Sequence, residues 1–246
     1  MYLQAPKPNI MLDTEVLRNR FHQFGFGLHQ FFSVSRYNDI APDGFALPQT
    51  DSGYTVGMLV ANQRQLWPHF IDYLRQDPTR IEDENPLDQY TERCFSSALD
   101  DFTQKTIVRY AHSMQPSPLA MQHLSESCGF AQRSKSHLCL HPIYGSWIGF
   151  RGVILFEKPY EIPDFRSGTG CTASCAKTCE RAFEQAVVLL KEQSHEEIGR
   201  SWRRWAQVRM LCSVGQQHRY SESQLEYHYT HNKEILRREI LSVRDT

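Results

Sequence analysis

A chain of 246 residues can bury a large core, and its 27 Lys+Arg against 28 Asp+Glu leave a formal charge of -1, so no global field draws nucleic acid or anionic lipid to it. No stretch approaches the roughly 20 apolar residues that span a bilayer, and the opening MYLQAPKPNIMLDTEVLRNRF lacks the apolar core of a secretory signal. Seven cysteines, an odd number in a chain too large to need a disulfide scaffold, point to a reducing compartment and a soluble, cytoplasmic protein without nucleic-acid or membrane partners.

In chain order, TEVLRNRFHQFGFGL spaces Val16, Leu17, Phe21 and Phe24 at helical intervals, and SGYTVGMLVANQ is a compact apolar run that predicts a strand. NQRQLWPHFIDYLRQ and PLDQYTERCFSSALDDF predict amphipathic helices, and KTIVRYAHS predicts a strand ending at MQPSPLA. SPLAMQHLSESCGFAQR reads as a helix opened by Ser117 and Pro118. SHLCLHP and WIGFRGVILFE, joined by Ile-Tyr-Gly-Ser, predict a hairpin. RSGTG at Arg166–Gly170 has the character of a hinge, and helical patterning dominates from Thr172. There RYSESQ opens the final helix, with Ser221 as cap and Gln224 as its capping-box partner. The order predicts one α+β domain over 1–246, with a mainly antiparallel sheet in a core at 1–165 and a mainly helical, Cys-bearing part at 166–246.

HPIYGSWIGFRGVILFE, from His141 to Glu157, carries the most chemical information. Gly145, Gly149 and Gly152 leave backbone open to close approach by a planar ligand; the structural alternative is a bulged edge hairpin in which Trp147 and Phe150 pack and Arg151 reaches solvent. In GCTASCAKTC, Cys171, Cys175 and Cys179 lie four apart and share one helical stripe. Three readings stay open. Cys179 is a core residue and Cys171 a loop residue; or Cys171 or Cys175 is a low-pKa thiol at a helix N-terminus, acting as nucleophile or electron donor with a neighbouring Cys to resolve it; or the three take a metal, although CxxxCxxxC is not a standard ligand spacing, so no metal site is expected. WRRW at Trp202–Trp205 is able to stack on bases, but the near-neutral chain favours helix packing. GxGxxG, P-loop, GxSxG and HExxH motifs are absent, which argues against dinucleotide-fold dehydrogenase, kinase, serine hydrolase and zincin chemistry.

The His-Pro, Gly-containing turn, Trp and Ile/Phe-Arg-Gly-Val order resembles the signature of the CblC-type cobalamin-processing proteins. FGF at Phe24–Phe26, YNDIAPDGFALP at Tyr37–Pro48, NPLDQY at Asn85–Tyr90, EIPDF at Glu161–Phe165 and RYSESQ at Arg219–Gln224 follow in family order. Together they cover the chain from about residue 20 to 240. The resemblance implies a flavin-nitroreductase-like α+β fold that holds cobalamin with its lower nucleotide tail detached. It also implies reductive removal of cyanide with reduced flavin (FMN or FAD), transfer of alkyl groups to the thiolate of glutathione, and a downstream cobalamin-trafficking protein as recipient.

Residue by residue, the resemblance puts Arg151 at the family arginine that holds the thiol, and Arg209 at a second after a one-residue shift. A third falls at Ile235, with Lys233 and Arg237 nearby. His123 matches the family histidine near the corrin, and Cys139, His141, Pro142, Tyr144, Gly145, Trp147 and Tyr220 complete the cobalamin-binding set it implies. Between Arg133 and Cys139 the chain is shorter than the family connection, and His137 stands where a glycine is expected, either crowding or coordinating cobalt or simply solvated. Cys171 or Cys175 is a candidate replacement for glutathione. The competing readings are a non-catalytic cobalamin carrier or chaperone and a flavin-dependent oxidoreductase of the same fold that does not use cobalamin.

Overall fold

The computed structural model describes residues 10–48, 55–157, 171, 176–190 and 201–242. Helix α1 (Ile10–Gln23) is followed by strand β1 (Leu28–Ser33), the short helix α2 (Val34–Asn38) and strand β2 (Val56–Asn62). Next come α3 (Leu66–Gln76), α4 (Pro86–Leu99), β3 (Thr106–Tyr110), α5 (Met121–Ser127), the two-residue strands β4 (Gln132–Arg133) and β5 (Cys139–Leu140), and β6 (Gly149–Phe156). The described C-terminal part is helical, with α6 (Ala176–Leu190), α7 (Trp202–Met210), α8 (Glu222–Thr230) and α9 (Lys233–Leu241).

β1, β2, β6 and β3 form an antiparallel sheet in that order. Its central strands are buried and alternate between two cores, as the two-residue period of a strand requires. Val56, Met58, Val60, Ile154 and Phe156 join α1, α3, α4 and α9 on one face, while Leu59, Ala61, Val153 and Leu155 join α2, α5 and Phe130 on the other. A third cluster, Trp147, Trp202, Ala206, Tyr220 and Leu225, sits where α7 meets α8.

The α+β class, the strands at β2, β3 and β6 and the helices α3 and α4 match the sequence expectations. The hairpin does not form. β5 pairs with β4, and β6 lies between β2 and β3. Residues 141–145 instead close a tight loop in which His141 and Gly145 exchange main-chain hydrogen bonds of 2.9 and 2.8 Å. Gly145 has φ +55, and an added Cβ would lie 2.0 Å from the Val214 carbonyl oxygen, so packing on the 214–215 backbone fixes this turn and prevents a simple two-strand return. Helix α5 also starts later than Ser117 and Pro118 suggest. The Ser117 carbonyl accepts from Arg109, and the Ala120 N–H donates to the Tyr37 hydroxyl at 3.2 Å, which holds the approach extended. Ser221 does cap a helix, accepting from the Gln224 N–H at 3.1 Å. That helix is α8 rather than the last one, and the Gln224 side chain turns toward His228 instead of closing the box. EIPDF and the 166–170 hinge lie outside the described residues.

Candidate functional site

Val60 pairs with Gly152 and Ala61 with Phe150, so Arg151 is the extra residue of a β-bulge between β2 and β6. A bulge leaves one residue outside the ladder and re-aims its side chain. Arg151 is tied on both sides, because its carbonyl accepts from the Ala111 N–H at 2.9 Å and its Nε donates to Asn62 Oδ1 at 2.6 Å. Asn62 is fully buried, and its Nδ2 donates to the Gln63 carbonyl at 2.9 Å, which orients Oδ1 toward the guanidinium. Gly149 leaves the room this clamp needs, since a Cβ there would stand 2.9 Å from Asn62 Oδ1 and 3.2 Å from an Arg151 terminal nitrogen.

Two cavities meet above this clamp. One, of about 390 Å³, has Arg151, Arg209, Tyr220 and His228 as its polar wall and Trp205 and Phe183 among its aromatic residues. The other, of about 640 Å³, is lined by α5, with His123 and Met121, by Cys139 and by Phe45. Leu138, Ile148, Gly149, Phe150 and Arg209 line both, making one two-lobed cleft. Among the described residues no carboxylate lies within ion-pair distance of Arg151 or Arg209. Arg209 sits 5.9 Å from the Trp147 ring and 5.7 Å from that of Tyr220. Burial pushes the Tyr220 phenol up, with Arg209 and Arg151 opposing it, and burial together with Arg151 and Arg209 holds His228 well below the usual histidine range. Arg209 Nε and Trp147 Nε1 are buried without a hydrogen-bond partner among the described residues. The first lobe is therefore a desolvated, cationic, donor-rich end suited to an anion, and the second is wider and more apolar.

Of the residues named from sequence, Arg151, Arg209 and Tyr220 converge on the first lobe, and His123 and Cys139 on the second. Trp147 is fully buried beneath the first lobe, edge-on to Tyr220 at 5.5 Å. The other hairpin residues fall outside the cleft lining. Pro142 is exposed, Gly145 packs on Val214, Tyr144 lies between His141 at 4.9 Å and His218 at 4.6 Å, and His141 lines a separate pocket. Cys171 is half-buried and does not line either lobe, Cys175 lies outside the described residues, and Cys179 is buried on α6. His137 adopts φ 59 and is exposed, its ring 4.8 Å from Phe183 at the first lobe. The position that the resemblance gives to a third arginine holds no cation facing the cleft among the described residues. Ile235 is fully buried in the core, Lys233 donates to the Glu82 carbonyl and Arg237 pairs with Glu82 and Glu234. Asn62 and His228 were missed; a buried amide ending an apolar strand and a histidine eight residues after Tyr220 are the only local signals.

Fold and cleft define an α+β protein with a two-lobed cleft that carries two guanidiniums at one end. Residues 25–241 match the Methylmalonic aciduria and homocystinuria type C family, and the chain belongs to that family. It is 27% identical over 244 residues to a Homo sapiens protein named cyanocobalamin reductase / alkylcobalamin dealkylase, covering 91% of this chain and 79% of the relative. A Gallus gallus protein of the same name is 25% identical over 236 residues, covering 88% and 91%. The fold is shared with a solved C. elegans B12-trafficking protein, CblC, described as a human MMACHC homologue, at TM-score 0.63 and 19% identity over 96% of this chain and 98% of that one.

Proposed function

We propose that this chain is an enzyme that binds cobalamin across the two-lobed cleft and removes its upper axial ligand. Alkyl groups pass to the sulfur of glutathione, and cyanide leaves on reduction by a flavin that diffuses to the site. The observation that carries this reading is the pair of guanidiniums, Arg151 and Arg209, standing without carboxylate partners among the described residues at one end of a cleft whose wide lobe continues past His123. An arginine is able to grip a carboxylate bidentately and to favour thiolate over thiol. In dealkylation the thiolate sulfur attacks the alkyl carbon, the S–C bond forms, the Co–C bond breaks, and its electron pair stays on the metal, which goes from cobalt(III) to cobalt(I). The thiol proton has left to solvent before attack. In decyanation a reduced flavin held at the site would supply one electron, taking cobalt(III) to cobalt(II), and cyanide would depart as the anion. The apolar faces of Phe150, Trp205 and Tyr229 suit a planar ring, whether corrin or flavin. We place His123 and Cys139 against the corrin, keep Cys171 and Cys175 as candidate internal thiols, and assign a cytoplasmic setting, action as one unit over 1–246 and hand-over to a cobalamin-trafficking protein.

The loss of the third arginine to the Ile235 core position favours one alternative, a cobalamin carrier that no longer turns its cargo over. A visible absorption titration with methylcobalamin and cyanocobalamin separates them. The enzyme shifts the bound corrinoid to a base-off spectrum and, once glutathione or reduced flavin is added, to a cobalt(I) or cobalt(II) spectrum. An unchanged bound spectrum identifies the carrier, and no shift at all rules out cobalamin as ligand.

A further inference from the structure

Away from the cleft, a separate pocket of about 270 Å³ lies between α1, β1 and the 141–145 loop. Helix α1 supplies Arg18 and His22, one turn apart, and β1 supplies His29, whose ring is 5.6 Å from that of His22. His141 closes the far side, 5.0 Å from the Phe130 ring. Every titratable group lining this pocket is basic, namely Arg18, His22, His29 and His141. Arg18 lies 5.0 Å from the Phe31 ring and has no ion pair among the described residues.

Two buried polar atoms here, Arg18 Nε and His29 Nε2, have no hydrogen-bond partner among the described residues. They ask for opposite things. Arg18 Nε is a charged donor. His29 hydrogen-bonds the Phe26 backbone carbonyl, and burial together with His22 and Arg18 pushes its imidazole down to about 3. The ring is therefore neutral at physiological pH and its Nε2 bears a lone pair, an acceptor. His141 is also neutral, pushed down to about 4 by burial and His218. Its Nδ1 accepts from the Ile143 and Tyr144 N–H groups at 3.1 and 3.3 Å, so its protonated nitrogen is the other one, a further donor. A fully ionised oxyanion satisfies the donors and leaves the His29 acceptor bare, whereas a neutral hydroxyl leaves the charge unanswered.

We propose that this pocket binds inorganic hydrogen phosphate, with P–O⁻ accepting from Arg18 Nε and P–OH donating to His29 Nε2. The match is to a singly protonated phosphate. Sulfate carries no proton at neutral pH, and neither does a phosphodiester such as that in the nucleotide tail of a corrinoid.

Calorimetric titration of the full chain in a phosphate-free buffer near neutral pH tests this with inorganic phosphate, sulfate and dimethyl phosphate. Phosphate binds at least roughly tenfold more tightly than either, because only it satisfies the buried acceptor. Arg18→Gln and His29→Phe each weaken phosphate binding roughly tenfold or more, and His29→Phe abolishes the preference over sulfate. Neither side chain lines the cleft, so cobalamin binding is unchanged in both variants and reports that they are folded. If His29→Phe does not fold, Arg18→Gln alone decides. Glycerol 3-phosphate, mostly a dianion without a P–OH near neutral pH, should bind more weakly than inorganic phosphate, and binding as tight or tighter would also overturn the match to a protonated anion. No phosphate binding at millimolar concentration, sulfate binding as tight as phosphate, or binding undiminished in Arg18→Gln would each overturn the proposal.

Discussion

Arg151→Lys isolates what the bulged guanidinium contributes beyond its charge. In the fold its Nε is committed to Asn62 Oδ1 at 2.6 Å, which leaves the terminal nitrogens to face the lobe they share with Arg209 and His228. An ammonium keeps the positive charge, but it has neither the Nε–H that Asn62 orients nor a planar fork for a carboxylate. A charge-assisted hydrogen bond in such a site is worth about 1.5–3 kcal/mol, and about 1.4 kcal/mol is a factor of ten. The KM for glutathione in methylcobalamin dealkylation should rise roughly 10- to 150-fold. The Kd for methylcobalamin, read by visible absorption, should move less than about threefold, because the wide lobe is lined by other residues. Arg151→Ala adds a second readout. Among the charges that depress His228, Arg151 stands first after burial, so its removal should move the His228 titration, followed by imidazole NMR, upward toward the ordinary 6.5. Parallel loss of thiol and cobalamin binding in Arg151→Lys, or an unchanged thiol KM, would refute the role given to this side chain.

Gly145→Ala combines a left-handed φ of +55 with a Cβ 2.0 Å from the Val214 carbonyl oxygen, and should cost about 3 kcal/mol or more, a fall of roughly 6–12 °C in Tm by calorimetry; a shift under about 2 °C would mean that the loop yields easily. His29 and His141 stay neutral in the fold down to about 3 and about 4, while histidines of the unfolded chain take up protons near 6.5. Acid therefore favours unfolding, and their contribution to stability is complete above pH 6.5 and is lost as the pH falls from there toward about 4 for His141 and about 3 for His29, by at most about 1.4 kcal/mol per pH unit for each. In His141→Asn the amide oxygen is able to accept the two loop N–H groups that His141 Nδ1 holds, so urea midpoints measured across this range should fall less steeply; an unchanged slope would contradict the assignment. Burial pushes Cys94 and Cys128 up to about 12 and raises Cys139 as well. Iodoacetamide at neutral pH should leave all three unmodified until urea is added, and mass spectrometry of the native protein showing any of them labelled would count against their being unreactive thiols in the fold.

The apolar alternation of VGMLVA and GVILF was legible because it reports burial of a strand on both faces, and α3 and α4 were legible because their apolar residues repeat at helical spacing. β1 was not. Its six residues, LHQFFS, include a buried Gln30 and follow directly on the α1 pattern, so no alternation stands out. The hairpin failed for a related reason, since β6 takes its partners from residues 56–62 and 106–110 and no local pattern encodes that choice. Arg151 was legible as a residue type and by family resemblance, but its exposure to the cleft depends on a bulge that exists only against β2. Asn62 and His228 acquire their roles from neighbours 89 residues away in one case and from Arg151 and Arg209 in the other. His141, Tyr144 and Gly145 matched a family signature, yet here they shape a turn on the 214–215 backbone rather than the cleft wall.

The most direct test of the central claim is an anaerobic single turnover of methylcobalamin and glutathione on the purified protein, with S-methylglutathione quantified by mass spectrometry against the cobalt spectrum. The account predicts one S-methylglutathione per cobalt(I) formed, with the rate at limiting thiol falling sharply in Arg151→Lys. Bound methylcobalamin that persists with no S-methylglutathione would contradict it and leave a cobalamin carrier.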